Sequence, residues 1–241
     1  MYGTRSVCLI LLAFKIDQQY PLIVAANRDE YFDRPTRAVH YWSDHPKIFG
    51  GRDLQEQGTW MGVTTTGRFA AVANWSRNNE RASGYRSRGD LVRDFLLTKS
   101  KSLEFVRSIN NSEYRGCNLI VYDGVSLAYW SNHENFFTPL NPGYHVITNG
   151  CFNNSSLRAK SGLEQFAQLT IKPDTDELLE LLAPKEPFHD SDCFVRGDTY
   201  GTRSSTTLFF SRTNIVVNEQ QYGPRATVGT LIAEEIALHT G

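Results

Sequence analysis

Two apolar runs set the fold of this 241-residue chain: Val7-Cys8-Leu9-Ile10-Leu11-Leu12-Ala13-Phe14, and Pro21-Leu22-Ile23-Val24-Ala25-Ala26, which leads without a break into Asn27-Arg28-Asp29-Glu30. Runs this short, free of glycine and rich in branched residues read as strands covered on both faces. The polar turn from Lys15 to Gln19 makes them a hairpin. At the end of the second run, four polar groups leave the buried strand together. Arg28, flanked by Asp29 and Glu30, is equipped to hold a carboxylate by bidentate hydrogen bonding.

Working outward, the hairpins multiply. Trp60-Met61-Gly62-Val63-Thr64 and Phe69-Ala70-Ala71-Val72-Ala73-Asn74 flank the turn Thr66-Gly67-Arg68. Asp123-Gly124 joins Leu119–Tyr122 to Val125–Trp130 with the strongest short-range turn signal in the chain. Ser204–Ser211 and Asn214–Val217 close on Arg212-Thr213, and Tyr144–Gly150 is a further strand. Between them fall helices: one from Gly89-Asp90, one capped by Ser102, then Ser156–Leu169 and Asp174–Leu182. A short terminal helix is expected near Thr230–Leu238, and the stretch from Tyr31 to Thr59, with Pro35, Pro46 and Gly50-Gly51, reads as a functional loop. Antiparallel hairpins interleaved with paired helices predict an α+β sandwich in one domain spanning residues 1–241.

Composition narrows the function classes. With 25 basic and 26 acidic side chains there is no global field to draw the chain onto nucleic acid or an anionic membrane. The run Arg77, Arg81, Arg86, Arg88 is a polar loop suited at most to an anionic ligand. Cys8, Cys117, Cys151 and Cys193 show no metal-type spacing, so no zinc site or other metal is expected. Cys117 reads as a small buried hydrophobe. The N-terminal run has no signal cleavage pattern, and no run approaches the roughly 20 apolar residues that cross a bilayer. The expectation is a cytoplasmic protein without an integral membrane segment.

Several strands end on a residue fit to handle a carbonyl: Cys8, Arg28 with Asp29, Asn74, Asn149 and Arg203. Here the chain resembles the NRDE family, the transport and Golgi organisation 2 homologues. The resemblance rests on an early Cys, Ala-Ala-Asn-Arg-Asp-Glu at 25–30, Gly58-Thr59-Trp60-Met61-Gly62, Ala73-Asn74, Thr148-Asn149 and Tyr200-Gly201-Thr202-Arg203. That family is similar in turn to the choloylglycine hydrolase and penicillin acylase branch of the N-terminal nucleophile hydrolases. The resemblance implies a four-layer αββα sandwich of two antiparallel sheets. It implies Cys8 as nucleophile with its own free α-amine as base, Asp29 as partner of that amine, Asn74 and Asn149 as oxyanion donors, and Arg203 as bracing cation. Asn27, Arg28, Glu30 and Trp60 are expected to bind substrate or brace the site; the hydrolase branch places its own arginine slightly earlier than Arg28.

The chemistry so specified is acyl transfer from a C–N or acyl bond to a thiol and then to water. A nearby cation makes thiolate available, and each well-placed oxyanion donor contributes about 3 kcal/mol. Residues 1–7 stand in front of Cys8, and an acylated nitrogen is no base. Three explanations are open: Val7 is the true initiator, the segment is cleaved off, or it stays and the protein is no hydrolase. The alternative function is a binding or trafficking protein for haem or an acylated lipid, with His40, His45, His133, His145 and His189 as conceivable axial ligands and Trp42, Trp60, Trp75, Phe136 and Phe137 as pocket linings. A hydrolase needs no cofactor and takes a small-molecule or acyl substrate.

Overall fold

A computed structural model describes residues 8–75, 85–153 and 156–239. In chain order these form β1 (Leu9–Phe14), β2 (Leu22–Tyr31), β3 (Thr36–Tyr41), β4 (Ile48–Asp53), β5 (Met61–Thr64) and β6 (Phe69–Asn74). Helices α1 (Arg88–Leu97) and α2 (Ser102–Ser108) precede β7 (Cys117–Tyr122), β8 (Leu127–Ser131), β9 (Phe136–Pro139) and β10 (Gly143–Ile147). Helices α3 (Leu157–Leu169) and α4 (Thr175–Leu182) lead into β11 (Tyr200–Phe210), β12 (Asn214–Gly223) and β13 (Thr227–Ala237). Contacts group the chain into two compact units, one of residues 1–34, 142–148 and 152–235, the other of residues 35–141, 149–151 and 236–241.

The first unit holds a six-stranded antiparallel sheet in the order β10-β1-β2-β11-β12-β13. The apolar run of β2 lies between β1 and β11, and Leu22 to Asp29 are all buried. Leu9, Leu11, Ala13, Ile23, Ala25 and Phe209 pack on one face against Phe166 of α3 and Leu178, Leu181 and Leu182 of α4. Ser156 caps α3 by accepting from the Ala159 N–H, and Asp174 caps α4 by accepting from Asp176 and Glu177. Against β2, strand β11 carries a register shift: Thr202 faces Asp29 and Ser204 faces Arg28, leaving Arg203 between them as the extra residue of a bulge.

The second unit holds a seven-stranded sheet, β3-β4-β5-β6-β7-β8-β9, with α1 and α2 on it. Its core joins Trp42, Val72, Leu119, Val121 and Trp130 to Leu91, Val92, Phe95 and Val106. Asp123 fixes the β7–β8 turn by accepting from Val125 and Ser126 at 3.0 and 2.8 Å, and it also caps α2 through the Ser102 N–H at 2.9 Å. Ser102 is thus the first residue of that helix, not its cap. Gly58 and Gly89 lie backbone to backbone: a Cβ at Gly58 would stand 2.7 Å from the Gly89 carbonyl carbon.

Two further expectations are corrected. The stretch from Tyr31 to Thr59 is not a loop, since β3 and β4 pair within it. Gly50, named within that loop, belongs to β4, where a Cβ would come within 2.8 Å of the Met61 oxygen across the ladder. The terminal helix is a strand: β13 is an edge of its sheet, and its cover alternates at Ile232, Glu234 and Ile236 with the period of two of a pleated strand. Hydrogen bonding to the sheet has overridden the helical spacing of Leu231, Glu235 and Leu238. Strand β9 went unread because it is a short exposed edge, with Phe136 and Phe137 both more than two-fifths exposed. The other helices and hairpins expected are present, with β2 running on to Tyr31 and β12 to Gly223, five and six residues beyond the expected ends. Residues 1–7, Arg77 and Arg81 lie outside the described residues.

Candidate active site

Cys8 immediately precedes β1 and is half-buried. Leu9 pairs with Asn27, so Cys8 lies opposite Arg28, one residue further along. Its Sγ accepts from the Asp29 N–H at 3.4 Å and donates to the Asp29 carbonyl at 3.5 Å. Burial and the Asp29 carboxylate push the thiol up to about 12, against the pull of the Asp29 N–H and Arg28. The thiol is therefore protonated at neutral pH with residues 1–7 attached.

Strand alternation sends the Asp29 carboxylate to the helix-bearing face, where its side chain is fully buried. Arg158 Nη1, from the first turn of α3, meets Oδ2 at 2.8 Å, and the Thr202 hydroxyl donates to Oδ1 at 2.7 Å. Burial raises the Asp29 carboxyl while Arg158, Thr202 and Arg28 draw it down. Tyr200 donates to the Asp29 carbonyl at 3.2 Å. Desolvation and the neighbouring acidic groups raise the Tyr200 hydroxyl above its ordinary range.

Asn27 is buried on the same face. Its Nδ2 donates to the Leu182 and Cys193 carbonyls at 2.9 and 2.6 Å, and its Oδ1 accepts from Ser205 at 2.6 Å. Arg158 Nη2 donates to the same Cys193 carbonyl. Asn27 thereby ties β2 to the end of α4 and to the segment that follows it. Glu30 lies 3.9 Å from Arg28 Nη2 and 3.8 Å from Arg34 Nε. Arg203, on the bulge, donates to the Tyr31 and Arg34 carbonyls. Desolvation, and next the charge of Arg28, hold its guanidinium below the ordinary arginine range.

The structure thus gathers Cys8, Arg28, Asp29, Glu30 and Arg203 around β2, with Asn27 alongside. Asn74, Asn149 and Trp60 belong to the second unit. Asn74 ends β6 opposite Cys117, and the Trp60 carbonyl accepts from Val72 at 2.8 Å. Asn149 presents a buried Oδ1 with no hydrogen-bond partner. In the same unit the neighbouring Gly150 carbonyl accepts from Asn118 at 2.6 Å. Of the histidines, His40, His45 and His133 lie in the second unit and His145 and His189 in the first. His133 stacks on Trp75 at 4.0 Å.

Sequence reasoning missed Arg158, Thr202 and Tyr200. The last two stand in the quoted Tyr200-Gly201-Thr202-Arg203 block, so the signal was present. Arg158 has none, because an arginine in a helix's first turn is ordinarily a surface residue. Among the described residues no helix is long and apolar enough to cross a membrane.

Two antiparallel sheets, each carrying a helix pair, define an α+β sandwich with the fold seen in N-terminal nucleophile hydrolases. A solved structure of that fold, the Caenorhabditis elegans N-acylethanolamine-hydrolyzing acid amidase ortholog, is similar at a TM-score of 0.53 and 15% identity over 84% of this chain and 92% of that one. The chain belongs to the Transport and Golgi organisation 2 family, whose model matches residues 7–224. The Bos taurus Transport and Golgi organization protein 2 homolog is 35% identical, covering 84% of this chain and 88% of that protein. The Drosophila melanogaster Transport and Golgi organization protein 2 is 23% identical over 97% of this chain and 90% of its own.

Proposed function

We propose that this protein is a cysteine N-terminal nucleophile hydrolase or acyltransferase, acting on an amide C–N or acyl bond of a small molecule once Cys8 is exposed as the first residue. The observation that carries this reading is the seating of Cys8 Sγ on the backbone of Asp29, whose carboxylate is locked by Arg158 and Thr202. A carboxylate fixed on the nucleophile's own strand pair supports the reading in which Asp29 orients a protonated amine on Cys8. The fold shared with an amidase supports the same reading.

In this mechanism the free α-amine of Cys8 takes the thiol proton, and the thiolate attacks the substrate carbonyl. The tetrahedral oxyanion is stabilised by donors for which Asn74 and Asn149 are the candidates. Collapse expels the amine, which leaves with the proton, and water then cleaves the thioester to regenerate Cys8. Arg203 braces the strand pair by holding the Tyr31 and Arg34 carbonyls.

The test is to express the chain behind a cleavable leader that leaves Cys8 first, and to incubate it with sets of N-acyl amides and acyl thioesters. Acylation of Cys8 by intact mass, with turnover lost in Cys8→Ala, supports the reading. Absence of both acyl-enzyme and product across the sets overturns it.

A further inference from the structure

Among the described residues, Arg28 is a charged group of this site with hydrogen-bonding capacity to spare. Its side chain is only 7% exposed, yet Nη1 is buried with no hydrogen-bond partner among the described residues, and Nη2 reaches Glu30 only at 3.9 Å. A buried guanidinium N–H left unmatched costs free energy, so a fold that keeps one there is destabilised unless an acceptor arrives. The nearby carboxylates do not supply it. Asp29 is engaged by Arg158 and Thr202, and Glu30 is shared with Arg34.

Charge points the same way. Arg28, Arg34 and Arg203 surround Glu30, and Asp33 is the other carboxylate that Arg203 feels. Three guanidinium groups against two carboxylates leave one positive charge over. Arg28 stands across the β1–β2 ladder from Cys8, on the same side of the sheet by strand alternation, and its charge acts on the Cys8 thiol. A fork-shaped, desolvated cation beside a nucleophile suits a planar or tetrahedral oxyanion, which it binds by charge-assisted hydrogen bonds.

We propose that Arg28 is a substrate-binding residue for an anionic oxygen group, so that the molecule handled at Cys8 carries a carboxylate or phosphoryl group next to the bond that breaks. This deepens the hydrolase reading and rests on Cys8 being the reacting residue. Glu30 stands 3.9 Å from one nitrogen of Arg28, and the other is the one left for the ligand.

Matched alkylating agents test it. Iodoacetate and iodoacetamide both transfer their carbon to a thiolate sulfur with loss of iodide, and differ in whether they carry a carboxylate. Rates are read by mass on the tryptic peptide Ser6–Lys15, with Cys151 as the exposed reference. The ratio of the two rates cancels any change in thiolate fraction. The expected result is an iodoacetate-to-iodoacetamide ratio at Cys8 above that at Cys151, falling by about tenfold in Arg28→Met, the loss of one charge-assisted contact. Arg28→Lys should retain part of it. Competition in the unmodified protein needs no variant to fold: protection by acetate alone assigns a carboxylate, by inorganic phosphate alone a phosphoryl group. A ratio equal to that of Cys151 with no protection by either anion overturns the proposal. Alkylation requires neither a free amine nor turnover, so a flat ratio with amide hydrolysis present sinks only the anion site. A retained ratio with no hydrolysis sinks only the hydrolase reading.

Discussion

Asp29 of β2 and Arg158 of α3 meet at 2.8 Å across 129 residues of sequence, with the aspartate side chain wholly buried. Removing one partner of such a pair leaves the other charge in a poor solvent. Arg158→Met should therefore lower unfolding free energy by about 3 to 5 kcal/mol in urea titration. Asp29→Asn with Arg158→Met should recover a large part of that loss. A single Arg158→Met variant as stable as the parent would show that the carboxylate is solvated by other means.

The Cys8 thiol, pushed up to about 12 in the intact chain, sets a reactivity profile. Its alkylation should be slow at neutral pH and climb about tenfold per pH unit, without a plateau below pH 11 or so. A chain that begins at Cys8 places an α-ammonium on the same residue, a charge that favours thiolate, and its profile should move to lower pH. Coincident profiles for the two chains would remove the amine from the mechanism.

The Gly58-Thr59-Trp60-Met61-Gly62 block has a packing reason. A Cβ at Gly89 would stand 2.9 Å from the Thr59 nitrogen, and one at Gly58 2.7 Å from the Gly89 carbonyl carbon. Backbone on both sides leaves nothing flexible to yield. Gly89→Ala should destabilise by about 1 to 3 kcal/mol despite the better helix propensity of alanine, as measured by denaturant midpoint. An unchanged midpoint would mean that α1 shifts freely.

A surface pair provides a pH signature. Arg52 forks onto Asp44 at 2.5 and 2.7 Å while its guanidinium lies 4.1 Å from the Trp42 ring centroid, and this contact lowers the Asp44 carboxyl from 3.8 to about 2. A carboxyl held below its unfolded value contributes stability that is present above pH 3.8 and is lost as pH falls through about 2. Asp44→Asn should flatten the stability profile in that acid window and leave its slope near neutrality unchanged. A variant with the parent's acid slope would assign the titration elsewhere.

What the sequence revealed follows from how local each signal is. The β1–β2 hairpin and the Asp123-Gly124 turn are specified by residues adjacent in the chain, as are the caps Ser156 and Asp174. Strands β3, β9 and β13 owe their conformation to a neighbouring strand and carry no pattern of their own strong enough to show it. Likewise, Cys8, Arg28, Asp29 and Glu30 stood out as reactive or charged groups beside apolar runs. Arg158 did not, because its only distinction is a partner 129 positions away.

The bulge at Arg203 has a consequence for how this site changes over evolutionary time. Thr202 faces Asp29 and Ser204 faces Arg28, which are consecutive positions of β2. Excising residue 203 would therefore leave a regular ladder with every other pairing kept. The strand carries its guanidinium as an insert rather than as a rung. That one position, and the grip it has on the Tyr31 and Arg34 carbonyls, can change while the pairing that holds the Asp29 carboxylate is left untouched.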